Sequence, residues 1–223
     1  MTTLYTFLPG RTCRLVLQLP TLSMHCLVTA GATIEPIDEV RLLTNRSTGR
    51  LGCMLADALS QANHKVTLLL SESAQKRPSS KDIEIHPFTT TDSLQRQIID
   101  KSKAEVAAFF HVAAVSDFRP ESHSKGKIDS NTPCTLQLVP TTKIINGLRD
   151  IFPSTLLIGW KYEAAGSPNS VRIKGGKQME QCKTDGCVLN GPAYGTGYGL
   201  LRESLHHCDN ENELFARLIT LLP

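Results

Sequence analysis

The sequence predicts an α/β protein, a Rossmann-like three-layer sandwich with a mostly parallel sheet and a mobile lid, and three observations predict it. Short apolar, β-rich runs alternate with amphipathic helical stretches along most of the chain, which is the pattern of repeated βαβ units. The run Lys65-Val66-Thr67-Leu68-Leu69-Leu70 is apolar almost throughout, as a parallel strand covered on both faces must be. An apolar run, Cys26-Leu27-Val28, stops at Thr29-Ala30-Gly31, and fourteen residues later Asn45-Arg46-Ser47-Thr48-Gly49-Arg50-Leu51-Gly52 leads into a helix. Both ends of this stretch have the small residues that a strand-to-turn or turn-to-helix junction needs.

Composition bounds the rest. At 223 residues the chain suffices for one α/β domain with a full core, assigned to residues 24–223. Hydrophobic residues at 40% and charged residues at 20% are ordinary globular values, and a net charge of +3 is too mild to imply nucleic acid. No apolar run approaches the roughly 20 residues that cross a bilayer, so no membrane partner is expected and the protein is read as soluble. Seven cysteines, odd in number and without a small-domain spacing, fit free thiols in a reducing compartment, with the cytoplasm as the default. Residues 1–23 carry two arginines and no acidic residue and are interrupted by Pro9 and Pro20. They read as an N-terminal extension, either not native or disordered; a transit peptide or a cut-short secretion signal fits less well, because the apolar part is brief and interrupted by Pro20 and Met24 stands directly before the first strand.

The first strand ends near Thr29, and the helix from Arg50 to Asn63 carries Leu51, Met54, Leu55, Ala58, Leu59 and Ala62 on one face. Lys65 to Leu70 completes a βαβ unit. A polar loop, Ser71 to Ser80, leads to the alternating Ile83-Glu84-Ile85-His86 and then to a helix from Asp92 to Lys101 with Leu94, Ile98 and Ile99 inward. Val106 to Val112 is the next strand and runs into Ser116-Asp117-Phe118-Arg119-Pro120, where proline ends regular structure. Glu121 to Pro133 has hardly a core residue and reads as the lid, carrying Lys125 and Lys127. A strand (Thr135 to Val139), a helix (Thr142 to Asp150) and a strand (Thr155 to Trp160) are expected to extend the sheet. The helix from Pro168 to Lys183 is weakened by Gly175-Gly176, at about 1 kcal/mol each against alanine. Gly186 to Asn190 is a further strand, Gly191 to Gly199 a glycine-rich turn, and Asn210-Glu211-Asn212-Glu213 caps a last helix with Leu214, Leu218 and Leu221.

The chemistry-bearing signal is the junction before Leu51. Free backbone N–H groups at a helix N-terminus, with the positive end of its dipole, favour phosphate, and glycines let a phosphate approach. The end of the Val106–Val112 strand is the other place where ligand contacts should collect.

With Asn45, the Ala113-Ala114-Val115-Ser116-Asp117-Phe118-Arg119-Pro120 segment and Lys127 in place, the sequence closely resembles phosphopantothenate–cysteine ligases. The resemblance covers nearly everything from Met24 onward: a TAGxTxEPIDxVRxxTNxSxGxxG block at Thr29 to Gly52, an AAVxDFRP block at Ala113 to Pro120, and a strand ending in Asn190 before Gly191. It implies a ligase joining 4′-phosphopantothenate to L-cysteine in coenzyme A biosynthesis, through an acyl-nucleotide made from CTP or ATP, with Mg2+. It implies a homodimer whose partner helps to cover the site. Nothing here resembles the flavin-dependent decarboxylase half found in bacterial fusions, so no flavin is expected.

By the same resemblance Asn45 contacts the acyl-nucleotide, Arg41 lies near it, and Lys127, the first lysine of a KxKK lid motif, neutralises charge during nucleotidyl transfer. Gly31, Ser47, Gly49, Ala113, Ala114 and Asp117 match nucleotide-pocket positions. Two departures stand out. Lys127 is followed by Ile128, Asp129 and Ser130 rather than by more lysines, and Gly159-Trp160-Lys161-Tyr162-Glu163 replaces a GFAAET-like segment, so Lys161 is read as replacing a lost lid charge.

Plainer readings stand beside these. Asn45 alone could be a helix cap, Asp117 a turn former and Lys127 a solvated lysine. Trp160, Tyr194 and Tyr198 could stack on a base or simply pack. Cys182, Cys187, His206, His207 and Cys208 hint at zinc, but their spacing fits no standard finger, and buried thiols are preferred. A dinucleotide-dependent oxidoreductase is the rival enzyme; the first turn lacks G-x-G-x-x-G, and Glu72 is the sole acidic candidate to hold a ribose. An inactive nucleotide-binding regulator of a separate decarboxylase is the non-enzymatic rival.

Overall fold

The computed structural model describes residues 22–131 and 133–223. The expected appendage therefore falls almost wholly outside the described residues. Among the described residues, no helix is long and apolar enough to cross a membrane.

Six strands form a parallel sheet: β1 (His25–Ala30), β4 (Lys65–Ser71), β5 (Glu84–Phe88), β6 (Ala108–His111), β9 (Leu156–Tyr162) and β10 (Gly186–Asn190). Two hairpin strands, β11 (Tyr198–Leu201) and β12 (Leu205–Cys208), continue it antiparallel, giving the order β12-β11-β10-β9-β6-β1-β4-β5. Counted along the chain, the parallel strands lie in the order 3-2-1-4-5-6, the doubly wound arrangement, and the order reverses between β1 and β6.

The period of two in each strand sorts side chains between the two helix layers. Val28, Leu68, Leu70, Phe110, Ile158 and Val188 pack with Leu55 and Leu59 of α1 (Arg50–Gln61) and with Leu214, Phe215 and Leu218 of α5 (Glu211–Ile219). Leu27, Leu69, Phe109 and Leu157 pack instead with Leu94 and Ile98 of α2 (Thr91–Lys101) and Ile144 and Leu148 of α3 (Ile144–Ile151). Helix α4 (Pro168–Cys182) covers the far end of that second face, with Val171 against Cys187 and Leu189.

The glycines of α4 do not break it. A Cβ on Gly175 would lie 2.4 Å from Leu189 Cδ2, so glycine is what lets this helix settle on β10. The helix is also started firmly, by a Ser167–Ser170 capping box with Pro168 in the first turn.

Three pieces depart from expectation. The Thr135–Val139 strand was expected in the main sheet; the observed β8 (Leu138–Pro140) pairs only with β7 (Phe118–Pro120), in a separate two-stranded ribbon. β2 (Ile34–Pro36) and β3 (Leu42–Thr44) form a second small hairpin where no strand was expected, because three-residue strands carry too few positions to show a period. The β11–β12 hairpin was likewise unforeseen: glycines at 191, 195, 197 and 199 read as one long turn, yet only its first part is a turn.

Candidate functional site

The loops after β1 and β6 meet at the reversal of strand order and are sewn together. Ala114 N donates to Gly31 O (2.8 Å) and Thr33 N to Ala114 O (3.2 Å). Ala113 N donates to Thr29 Oγ1 (3.1 Å) and Ser116 N to Thr33 Oγ1 (2.9 Å). Asn45 then crosses from the segment before α1 to donate from Nδ2 to Val115 O (3.2 Å). Asn45 is therefore not a helix cap. The α1 N-cap is Gly49, left-handed at φ 77°, with no side-chain cap and no acidic residue in the first turn. An L-residue there would be strained, and apart from a long bond from Arg50 N to Thr48 Oγ1 (3.4 Å) the first-turn N–H groups are without partners among the described residues.

These groups open on one cavity of about 750 Å³. Its lining includes Gly31, Asn45, Ser47, Gly49, Ala113, Ala114, Asp117 and Lys161, eight of the ten residues singled out from the sequence. Arg41 and Lys127 are not in that lining. Arg41 pairs with Asp38 and donates to Ile128 O (3.2 Å), while Lys127 is exposed on the flap.

A second helix start, that of α3, faces the same space through Lys143, Ile144 and Ile145. Its N-cap, Lys143, makes no side-chain cap, and α3 likewise has no acid in its first turn. Two bare helix N-termini with Arg46, Lys143 and Lys161 around them, against the single carboxylate of Asp117, suit an anion. Asp117 itself accepts from Lys143. Lys161 lies 3.5 Å from Glu163, which also accepts from Lys174 Nζ at 2.5 Å; these contacts hold the Glu163 carboxyl below its ordinary pKa, Lys174 most of all.

The sequence reading missed Lys143 and His111. Lysine at a helix start faces like-signed partial charge, which was the available signal that an anion belongs there. His111 lines the cavity at the end of β6, with Nδ1 3.0 Å from Thr29 Oγ1, and burial lowers its pKa to about 4, so it is neutral at physiological pH. A lone histidine in an apolar strand gives no such hint in sequence.

Trp160 also lines the cavity, whereas Tyr194 and Tyr198 are engaged elsewhere, with His207 Nδ1 (3.0 Å) and Glu211 Oε1 (3.1 Å). Cys182 and Cys187 are buried, and among the described residues no three potential ligands cluster to hold a metal. Glu72 follows β4 but is not among the lining residues.

Fold and cavity together define a class: Rossmann-like, doubly wound proteins whose ligand lies where the strand order reverses, with its anionic groups at helix N-termini. Within that class the chain belongs to the DNA/pantothenate metabolism flavoprotein C-terminal domain family, whose model matches residues 22–214. The chain is 34% identical over 164 residues to the coenzyme A biosynthesis bifunctional protein CoaBC of Thermococcus kodakarensis, covering 74% of this chain and 40% of that protein. Its fold is similar to the crystal structure of the DNA/pantothenate metabolism flavoprotein from Streptococcus pneumoniae, with a TM-score of 0.80 at 24% identity over 89% of this chain and 98% of that one. It is also similar to a Cab2 mutant in complex with phosphopantothenate-cysteine, with a TM-score of 0.75 at 18% identity over 89% and 86% of the two chains. The chain spans about two fifths of the length of the Thermococcus relative.

Proposed function

We propose that the chain is a phosphopantothenate–cysteine ligase of coenzyme A biosynthesis, acting in the cytoplasm. The observation that carries this reading is the convergence of Asn45, the Ala113–Asp117 turn and two uncapped helix starts on one cavity. The coenzyme A biosynthesis relative, and the phosphopantothenate-cysteine in the Cab2 neighbour, support it.

The 4′-phosphopantothenate carboxylate attacks the α-phosphorus of CTP or ATP; a P–O bond forms, pyrophosphate leaves, and an acyl-nucleotide results. The cysteine amine then attacks the acyl carbon, the amide forms, the nucleoside monophosphate leaves and the nitrogen gives up a proton. In the first step, cations and helix N-termini offset charge building on the phosphates, with Lys143 and Lys161 at the cavity and Lys127 brought in from the flap. In the second, the Asn45 amide orients the mixed anhydride. Gly31, Ser47, Gly49, Ala113 and Ala114 present backbone and small side chains to the nucleotide. Asp117 is the single carboxylate of the lining, so Mg2+ fits as an ion carried by the nucleotide phosphates rather than one caged by the protein.

A homodimer is part of the proposal. Val40 and Leu42 are 64% and 57% exposed, Phe118 and Leu138 48% and 41%, on two hairpins that pack together through β2 and β7. Such an apolar surface asks to be covered.

The test mixes protein, Mg2+, 4′-phosphopantothenate and either CTP or ATP, without cysteine, and measures pyrophosphate. Release that requires 4′-phosphopantothenate is expected. Its absence with both nucleotides would defeat the proposal.

A further inference from the structure

The flap that follows β7 is fastened to the β2–β3 turn at two points on either side of one short cationic tip. Ser124 N donates to Ile37 O (3.1 Å) on one side. On the other, Ile128 is held by both of its backbone groups: its N–H donates to Asp38 Oδ2 (3.0 Å), and its carbonyl accepts from Arg41 Nη1 (3.2 Å). Between these points lie Lys125, Gly126 and Lys127, turned by Gly126 at φ 73°, with both lysines exposed.

Asp38 is the centre of this arrangement. Its side chain is fully buried. Oδ1 accepts from Val40 N (2.8 Å) and Arg41 N (2.7 Å), which shapes the hairpin turn, while Oδ2 accepts from the Arg41 guanidinium and from Ile128 N. One carboxylate thus joins the turn after β2 to the flap, 90 residues on in the chain. A buried carboxylate stays charged only where donors compensate it, and four do.

We propose that Asp38 is a positioning residue: with Arg41 it latches Ile128, so that the Lys125-Gly126-Lys127 tip moves to the cavity from a fixed anchor. The part of this that concerns catalysis rests on the ligase reading, in which Lys127 neutralises charge during nucleotidyl transfer. It also gives Arg41 a function that its absence from the cavity lining otherwise leaves open.

Asp38→Asn is the informative substitution. Its side-chain oxygen can still accept from Val40 N and Arg41 N, whereas an NH₂ group in place of Oδ2 can accept from neither Ile128 N nor Arg41. Hydrogen exchange at Ile128 is expected to speed up about tenfold or more while core strand amides keep their protection. Pyrophosphate release at saturating nucleotide is expected to fall about tenfold with the nucleotide KM within about twofold, since a lysine lost only at the transition state lowers kcat. Arg41→Gln, which keeps the Asp38–Ile128 bond, should give a smaller effect in the same direction on both readouts. Unchanged exchange at Ile128 in Asp38→Asn would overturn the latch. Faster exchange with unchanged pyrophosphate release would overturn its catalytic role. A wild-type protein that releases no pyrophosphate would instead defeat the ligase reading, and the exchange comparison would still decide the latch.

Discussion

At the scale of single residues, the proposed reaction assigns some groups of the cavity to binding and others to orienting. Asn45 spends its amide N–H on Val115 O, which fixes the side chain and leaves its oxygen without a partner among the described residues. Asn45→Ala should therefore lower amide formation about 100-fold while leaving most pyrophosphate release, with product and pyrophosphate measured in the same reaction. Equal loss of both would place Asn45 in the first step instead. Lys127→Ala should slow pyrophosphate release about tenfold, because in the proposed reaction its charge acts while pyrophosphate departs. His111 makes a prediction about stability. Its pKa is lowered from 6.5 to about 4 by burial, so the unfolded chain binds more protons than the native one between these values. Stability from this group is complete above pH 6.5 and is lost as pH falls toward 4, on the order of 3 kcal/mol in all. Replacing His111 by Gln should flatten that part of a denaturation series across pH; an unchanged slope would rule this out. Asp38 has the same sign. Its carboxyl is held far below the usual carboxylate range, first by the Ile128 N–H, so its contribution is present above about pH 4 and fades on further acidification.

At the scale of elements, the long parallel strands and amphipathic helices were readable because each repeats its period several times. α1, β4 and α2 lie within a residue or two of their expected limits, and α5 starts at the expected cap, Asn210. The three-residue ribbons β2–β3 and β7–β8 were not readable, since their pairing is a tertiary event with almost no local pattern. For α4 the intrinsic cost of Gly175-Gly176 was real, but propensity is silent on what faces a residue; only the Leu189 contact shows why a side chain is excluded. Gly175→Ala should thus destabilise the protein by about 1 to 3 kcal/mol through overpacking, despite the better helix propensity of alanine, and chemical denaturation measures the sign. Stabilisation would show that α4 can draw back from β10 at little cost. In the site, Gly31, Asn45, Ser47, Gly49, Ala113, Ala114 and Asp117, taken from motif positions, and Lys161, taken from a departure from the motif, all line one cavity, whereas Lys143 signalled itself only by standing at a helix start and His111 not at all.

At the scale of the molecule, strand order places the two family blocks side by side. β1 and β6 are neighbours although more than 70 residues separate them, and the reversal between them opens the cavity at the carboxyl ends of the strands. The two hairpins extend from this frame with their apolar residues outward. Phe118→Glu should shift the assembly from dimer to monomer in sedimentation, with the fold intact by circular dichroism. A wild-type protein that is monomeric at all concentrations would remove the proposed dimer.

The central claim is that this cavity makes a mixed anhydride between an acid and a nucleoside monophosphate. It is tested most directly by supplying 4′-phosphopantothenate with ¹⁸O in its carboxylate, together with cysteine and nucleotide, and weighing the phosphate products. One ¹⁸O atom transferred into the nucleoside monophosphate is the predicted result; label found in inorganic phosphate, or in neither product, would contradict it.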